Sequence, residues 1–185
     1  FVTILKNGSP IKMSTRKANF VTLDELINEV GADVVRYFFI MRGMNTHLNF
    51  DLDLAKNESD ENPVFYLQYA HARVSNIIKR ARELNVETNK NPNLFLLTSD
   101  AENNLINKMN SFPECIKRSH DTKEPQTIAT YLHDLAMCFH KFYSKHKVIS
   151  DDINLTASRL TLVKAVQIVF KNGLSILGIS APERM

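Results

Sequence analysis

Cysteine is scarce in this chain of 185 residues: Cys115 and Cys138 are the two, and neither stands in a Cys-x-x-Cys or histidine-rich setting. That argues against a disulfide-stapled scaffold and a thiolate metal site. It predicts two reduced, buried and inert thiols, with a disulfide as the lesser alternative. No apolar run in the sequence approaches the length of a membrane span, and no signal-peptide pattern opens the chain. No internal repeat is visible. Charge of one sign is not in large excess: 23 Lys and Arg stand against 20 Asp and Glu, a formal +3. That balance does not by itself predict nucleic-acid binding, but the cations cluster locally. What is there is ordinary globular composition, 44% hydrophobic and 23% charged, enough for one core or a core with an appendage. The chain opens at Phe1, inside what reads as a strand, which gives the expectation of a piece of a longer protein.

Local signals divide the chain. Phe1 to Leu5 is apolar and reads as a strand. Thr22 with Glu25 three residues on is a capping box, Leu23, Leu26, Ile27 and Val30 follow at helical spacing, and Gly31 closes that helix. A second helix is expected over Asp33 to Arg42. Thr46 to Leu54 alternates with period two, which predicts an extended piece with Leu48, Phe50 and Leu52 on one face. Polar, acidic Asn57 to Asn62 is a boundary. From Pro63 onward the chain reads as helical. Asn62 caps a helix with Pro63 at its first position, running to about Leu84. An Asn-rich linker covers Asn85 to Asn93. Ser99 and Glu102 form a second capping box, opening a helix that Pro113 must end or kink. Pro125 starts a long helix to about His146, and a last helix runs from about Thr156 to Leu177, with Leu160, Val163, Val166, Val169, Phe170 and Leu177 as its stripe. The layout is mainly α: a small α/β unit over residues 1–60, then a bundle of four to six helices over 61–185.

Three places carry chemistry. Lys12, Arg16 and Lys17 are three cations within six residues, with no acid nearer than Asp24, and Ser14 and Thr15 add hydroxyls between them. Such a loop suits a polyphosphate, because fixed donors and positive charge neutralise a charge growing on a leaving group. The same composition fits an ordinary solvated basic loop. On the Pro63 helix, Tyr66, Tyr69, Arg73, Asn76 and Arg80 recur at three- and four-residue steps on one face, opposite apolar Leu67, Val74, Ile78 and Ala81. Tyrosine stacks on bases, and arginine stacks or pairs with phosphate. Equally, tyrosines at this spacing fit the edge of a core. Arg73, Lys79, Arg80 and Arg82 meet no acid before Glu83, which favours a polyanion. On the Pro125 helix, Phe139, Phe142 and Tyr143 crowd one turn among His133, His140, Lys141, Lys145, His146 and Lys147. Basic residues interleaved with aromatics suit unstacked single-stranded RNA. No histidine has a second ligand at a metal-binding spacing: His140 and His146 are six apart, on opposed faces of a helix, so no metal site is expected.

The stretch from Gly8 to Leu26, with Lys12-Met13-Ser14-Thr15-Arg16 at its centre, resembles the signature loop of class I arginyl-tRNA synthetases. Most class I synthetases have Lys-Met-Ser-Lys-Ser there. The arginyl enzymes often carry Lys-Met-Ser-Thr-Arg, followed by Gly-Asn-Phe-Val-Thr-Leu. Here Ala18 replaces that Gly, and Ala reaches positive φ less readily. Asn62 to Arg73 resembles the first helix of the family's DALR-type anticodon-binding bundle. Tyr131 to Leu135 with Phe139 to Tyr143 is similar to its second landmark. Lys171 to Met185 is similar to the family's C-terminal end. The likeness covers essentially the whole chain, with its motifs in the family's order.

The resemblance implies a mainly α chain: an anticodon-binding bundle over 61–185, preceded by a remnant of a Rossmann-like catalytic domain over 1–60. It implies an enzyme that joins L-arginine to arginine tRNA with ATP and Mg2+ through arginyl-adenylate, cytoplasmic and monomeric, with no membrane partner. Lys12, Met13, Ser14, Thr15 and Arg16 would line the ATP loop, with Lys12, Ser14 and Arg16 stabilising the phosphates as pyrophosphate leaves. Tyr66, Tyr69, Arg73, Asn76, Arg80, Phe139, Tyr143 and Met185 would contact tRNA. Tyr69, Arg73, Phe139 and Tyr143 would flank the middle anticodon base, and the Met185 carboxylate would accept from a cytosine amine, so residues added after Met185 are expected to weaken tRNA binding more than Lys145→Ala does. The family's His-Ile-Gly-His motif is not in this sequence, nor is an arginine pocket or an elbow-reading domain, so this piece alone is expected not to form arginyl-adenylate. Its possession of both the ATP loop and the bundle suggests a conduit between them. Two other classes stay open: a non-catalytic helical RNA-binding module, and a helical interaction scaffold, which predicts no salt-dependent RNA affinity. A cysteinyl or methionyl synthetase is hard to reconcile with the ending Ala181-Pro182-Glu183-Arg184-Met185.

Overall fold

The computed structural model describes residues 2–13, 20–43, 46–86 and 92–185. Strand β1 (Val2–Lys6) turns back through Asn7 and Gly8, at φ 51° and 70°, into the short β2 (Ser9–Pro10). Two positive φ values in a two-residue turn match the right-handed twist of the hairpin. On its other side β1 pairs in parallel with β3 (Leu48–Asp51), with Ile4 opposite Phe50, giving the sheet order β2-β1-β3. A parallel pair needs a crossover, and α1 (Leu23–Val30) and α2 (Ala32–Ile40) lie within it. The Thr22–Glu25 capping box is formed, at 3.1 Å and 2.7 Å. Leu26 is buried, but Leu23, expected on the apolar stripe, is 56% exposed.

The extended piece expected to reach Leu54 stops at Asp51. The Asp51 carboxylate accepts from the amides of Asp53 (3.0 Å) and Leu54 (3.1 Å) and so starts the one-turn helix α3 (Leu52–Lys56). An alternating pattern cannot reveal this, because an aspartate that caps a helix looks the same in sequence as one that faces water.

The bundle follows. α4 (Pro63–Glu83) is capped by the Asn62 side chain, as expected. After a 3₁₀ turn at Leu94–Leu96 comes α5 (Asp100–Asn110), with the Ser99–Glu102 box formed. Pro113 ends that helix, and it also sits in the first turn of a further helix, α6 (Phe112–Thr122), that the sequence reading did not assign. α7 (Gln126–Lys145) and α8 (Ile153–Leu177) complete it. α8 begins earlier than expected because the Asp152 carboxylate caps the Leu155 amide at 3.0 Å. By length and composition alone α8 is apolar enough to cross a membrane, contrary to the sequence reading; in the fold Leu160, Val163, Val166, Phe170 and Leu174 are fully buried, as in the core helix of a bundle. One hydrophobic core runs from Ile4 and Phe50 through Val35 and Phe38 to Leu67, Leu135, Phe139 and Phe170. Gly173 lies against Leu132: a Cβ there would meet its side chain at 2.6 Å. Cys115 and Cys138 are free and half-buried, and burial pushes the Cys115 thiol up from its ordinary value.

Candidate nucleic-acid interface

The periodicity of α4 sends two faces in different directions. Leu67, Ala70, Val74 and Ile78 enter the core, while Tyr69, Arg73, Asn76 and Arg80 line one wall of an open cleft of about 800 Å3. The end of α7 and the segment after it, Tyr143 to Ile149, form the opposite wall, and Met185 adds a third side. Lys145 and Lys147 bring further positive charge. A cleft of this size lies within the usual range for ligand sites. Tyr143 is 40% exposed and Met185 54% exposed.

Arg73 is the centre of the cleft. Its guanidinium carbon lies 4.5 Å from the Tyr69 ring centre and 5.4 Å from that of Tyr143. One Nη donates to the Tyr69 hydroxyl, and the other contacts His140 Nδ1 at 3.3 Å. Arginine only donates, so His140 Nδ1 must be the bare, accepting nitrogen. The electrostatics agree: burial lowers the His140 pKa first, and the Arg73 charge lowers it further, against an opposing pull from Asp60. A neutral imidazole and two π-faces therefore hold this cation. Among the described residues no carboxylate lies within ion-pair distance of Arg73.

Two expected contact residues stand elsewhere. Phe139 is fully buried beneath Tyr143, its ring 5.9 Å from the tyrosine ring at 20°, so it supports the cleft and does not line it. Tyr66 is half-buried between His133 and His140, each 5.1 Å away; it lines a neighbouring hollow with Asp60 and His140, which shares Tyr69, Arg73 and Ser144 with the cleft. The three-residue step from Tyr66 to Tyr69 falls short of a full turn by about 60°. Burial raises the Tyr66 pKa, with Asp60 adding to it. The cationic run on α4 is also less free than its sequence suggests, because Lys79 and Arg80 reach Glu83 at 3.9 Å and 3.6 Å. The sequence reading missed Ser144, Val148 and Ile149 as lining residues, and missed Phe65, whose ring stacks on Tyr69 at 6.1 Å and 10°. The four-residue step from Phe65 to Tyr69 was the available signal.

Of the basic loop, Lys12 and Met13 follow β2 at exposed positions. Ser14, Thr15, Arg16, Lys17 and Ala18 lie outside the described residues. Among the described residues no three His, Cys, Asp or Glu side chains gather as metal ligands would.

The cleft thus lies in a helical bundle, between its first and penultimate long helices, and that bundle has known relatives. Residues 67–185 match the DALR anticodon binding domain, and the chain belongs to that family. Its relatives are arginyl-tRNA synthetases. The whole chain is 47% identical over 185 residues to the arginine–tRNA ligase of Salinibacter ruber and 44% identical to that of Listeria monocytogenes, spanning 33% of each. Its fold is similar to that of a Campylobacter jejuni protein described as an arginyl-tRNA synthetase, with a TM-score of 0.83 at 31% identity over 100% of this chain and 40% of that one. It is also similar to the Thermus thermophilus arginyl-tRNA synthetase, with a TM-score of 0.73 at 26% identity over 92% of this chain and 29% of that one. The chain thus spans about a third of the length of the curated relatives it matches.

Proposed function

We propose that the cleft receives an unstacked base of the anticodon loop of arginine tRNA. The observation that carries this is the convergence of Tyr69, Arg73, Tyr143 and Met185, from three separate parts of the chain, on one open basic cleft within the family-matched region. The Tyr143 ring offers a stacking face, and Arg73 supplies charge held by rings and a neutral histidine. Asn76 offers an amide able to donate to and accept from a base edge. Lys145 and Lys147 meet the backbone phosphates.

The parent protein that this reading implies is a class I arginine–tRNA ligase, cytoplasmic and active as a single subunit, using ATP with Mg2+ and L-arginine. Residues 61–185 are then its anticodon-binding part and 1–60 the end of its catalytic domain. Lys12 and Arg16, with Ser14 between them, would stabilise charge on the departing pyrophosphate, while Met13 and Thr15 complete the loop. Positioning and charge dominate such a step. This chain without the rest of the enzyme forms no arginyl-adenylate.

The test is binding of a hairpin with the arginine anticodon loop to the chain, followed by fluorescence anisotropy at several salt concentrations. Affinity is expected to fall as salt rises, with a slope reporting several phosphate contacts, and to drop roughly tenfold or more when the middle anticodon base is replaced. Equal affinity for all loop sequences would sink the base-reading role. Affinity insensitive to salt would leave only the scaffold alternative.

A further inference from the structure

The side of the cleft that Met185 adds is fixed from elsewhere. α8 ends at Leu177, and Gly178 follows in left-handed backbone at φ 67°. A Cβ on residue 178 would stand 2.6 Å from Arg36 Nε, so glycine leaves the space that the guanidinium enters. Arg36 Nε, on α2, donates to the Leu177 carbonyl at 2.5 Å. That carbonyl belongs to the last turn of α8, where helix carbonyls lack helical partners and a cation opposes the negative end of the helix dipole. One turn earlier on α2, Asp33 accepts from the Ser180 amide at 3.2 Å and from the Ser180 hydroxyl. Gln68 on α4 donates to the same carboxylate at 2.8 Å and to the Ser180 carbonyl at 3.2 Å. Beyond it, His71 donates from Nδ1 to the Pro182 carbonyl at 2.8 Å. A carbonyl only accepts, so the His71 tautomer is fixed, and its Nε2 is buried without a partner among the described residues. Ile179, 4% exposed, pegs the tail into the core.

We propose that Asp33 and Arg36 are positioning residues for the RNA cleft. By holding residues 177–180 they set where Met185 stands, so the affinity of the cleft is governed from a helix that gives it no lining side chain. This rests on the anticodon-loop reading above. It also makes the unit around α2 and the anticodon cleft thermodynamically linked: RNA that fixes Met185 must strengthen the hold of α2 on the tail by the same factor.

The experiment compares Asp33→Ala, Arg36→Ala and Ser180→Ala with a truncation after Pro182 and with Lys117→Ala, an exposed change on α6, as control. Hairpin affinity is measured for each, and amide hydrogen exchange of residues 178–182 is measured without RNA. Ser180→Ala removes the hydroxyl bond to Asp33 from an exposed position and keeps the amide bond, so a folding defect in Asp33→Ala does not decide the outcome. Asp33→Ala is expected to weaken the hairpin roughly tenfold and to speed exchange at residue 180 by a similar factor, because it removes every bond to that carboxylate, and Ser180→Ala is expected to move both readouts the same way by a smaller factor, because it removes one. Asp33→Ala combined with the truncation is expected to lose no more than the truncation alone, since Asp33 acts only through the tail. Full additivity, or faster tail exchange with unchanged affinity, overturns the proposal while leaving the RNA reading intact. Failure of the unsubstituted chain to bind the hairpin overturns the RNA reading, and this proposal with it.

Discussion

Arg73 and Arg159 are two partly hidden arginines, each touching the Nδ1 of a histidine near the end of α7, and they are satisfied in opposite ways. Arg159 donates Nε to Glu102 at 2.8 Å, one Nη to the Lys147 carbonyl at 2.9 Å, and contacts His146 Nδ1 at 3.2 Å. Its side chain is 12% exposed and that of Glu102 is 2% exposed. Arg73 contacts His140 at 3.3 Å and two tyrosine rings, and opens on the cleft. The first arginine is a closed structural joint between α5, α8 and the segment after α7. The second has no carboxylate within ion-pair distance among the described residues and lines the open cleft. The joint also serves the cleft, because Lys147 and His146, which it holds, line the cleft wall.

Breaking the closed joint has the largest expected effect. Glu102→Ala strips a largely buried cation of its partner and removes half of the capping box that starts α5. Such a loss costs about 3–5 kcal/mol, and urea unfolding reads it directly. The same carboxylate sets a pH dependence. Burial alone pushes the Glu102 pKa up, but the Ser99 amide and the Arg159 guanidinium outweigh it, so the net value lies below the ordinary 4.5. A depressed carboxylate stabilises fully above its unfolded value and loses that contribution as pH falls below 4.5 towards the folded value. Glu102→Gln should flatten the acid limb of stability against pH; an unchanged limb would show that the joint does not titrate as its geometry implies.

Arg73→Ala sharpens the comparison from the other side. The hairpin should bind about 2 kcal/mol more weakly, with a salt slope smaller by about 1. Unfolding should change by about 1–2 kcal/mol, less than for Glu102→Ala, because the loss leaves the His140 Nδ1 without its donor but strands no charge, no carboxylate among the described residues lying within ion-pair distance of Arg73. Arg73→Lys should recover part of the salt slope but not the affinity, since an ammonium lacks the planar fork that stacks between two rings. If Arg73→Ala unfolds the chain as readily as Glu102→Ala, the two arginines are not the different devices described.

What the sequence revealed was what adjacent residues decide among themselves. The Thr22–Glu25 and Ser99–Glu102 boxes, the Asn62 cap before Pro63 and the ends of α4 and α7 all rest on contacts within one turn, and they formed as read. Of the cleft, Tyr69, Arg73, Asn76, Arg80, Tyr143 and Met185 were legible through helical spacing and the family likeness. Spacing failed where a face is chosen by what packs on it. Phe139 and Tyr143 share a stripe, yet one is fully buried and the other is 40% exposed. α6 escaped because Pro113 reads as a terminator, although a proline in the first turn also starts a helix. The joint between Asp33 and Ser180 spans 147 residues and leaves no local mark at all.

The smallest expected effect separates Tyr143 on α7 from Tyr66 on α4, two tyrosines that the sequence offered alike as RNA contacts. Tyr143→Ala removes an exposed ring from the cleft and should weaken the hairpin by about 1–2 kcal/mol, the usual worth of one base–aromatic stack. Tyr143→Phe should restore it, because stacking needs the ring and not the hydroxyl. Tyr66→Phe, at a half-buried ring between His133 and His140 that does not line the cleft, should leave hairpin affinity unchanged. It is also the gentler probe, since Tyr66→Ala would disturb His140 and, through it, the seat of Arg73. Anisotropy titrations of Tyr143→Ala and Tyr143→Phe test the stack, and the titration of Tyr66→Phe tests whether the Tyr66 hydroxyl meets the RNA. A loss on Tyr143→Ala that Tyr143→Phe restores assigns the stack to the Tyr143 ring, whereas a loss on Tyr66→Phe shows that the Tyr66 hydroxyl, whose surroundings include the charge of Asp60, also meets the RNA.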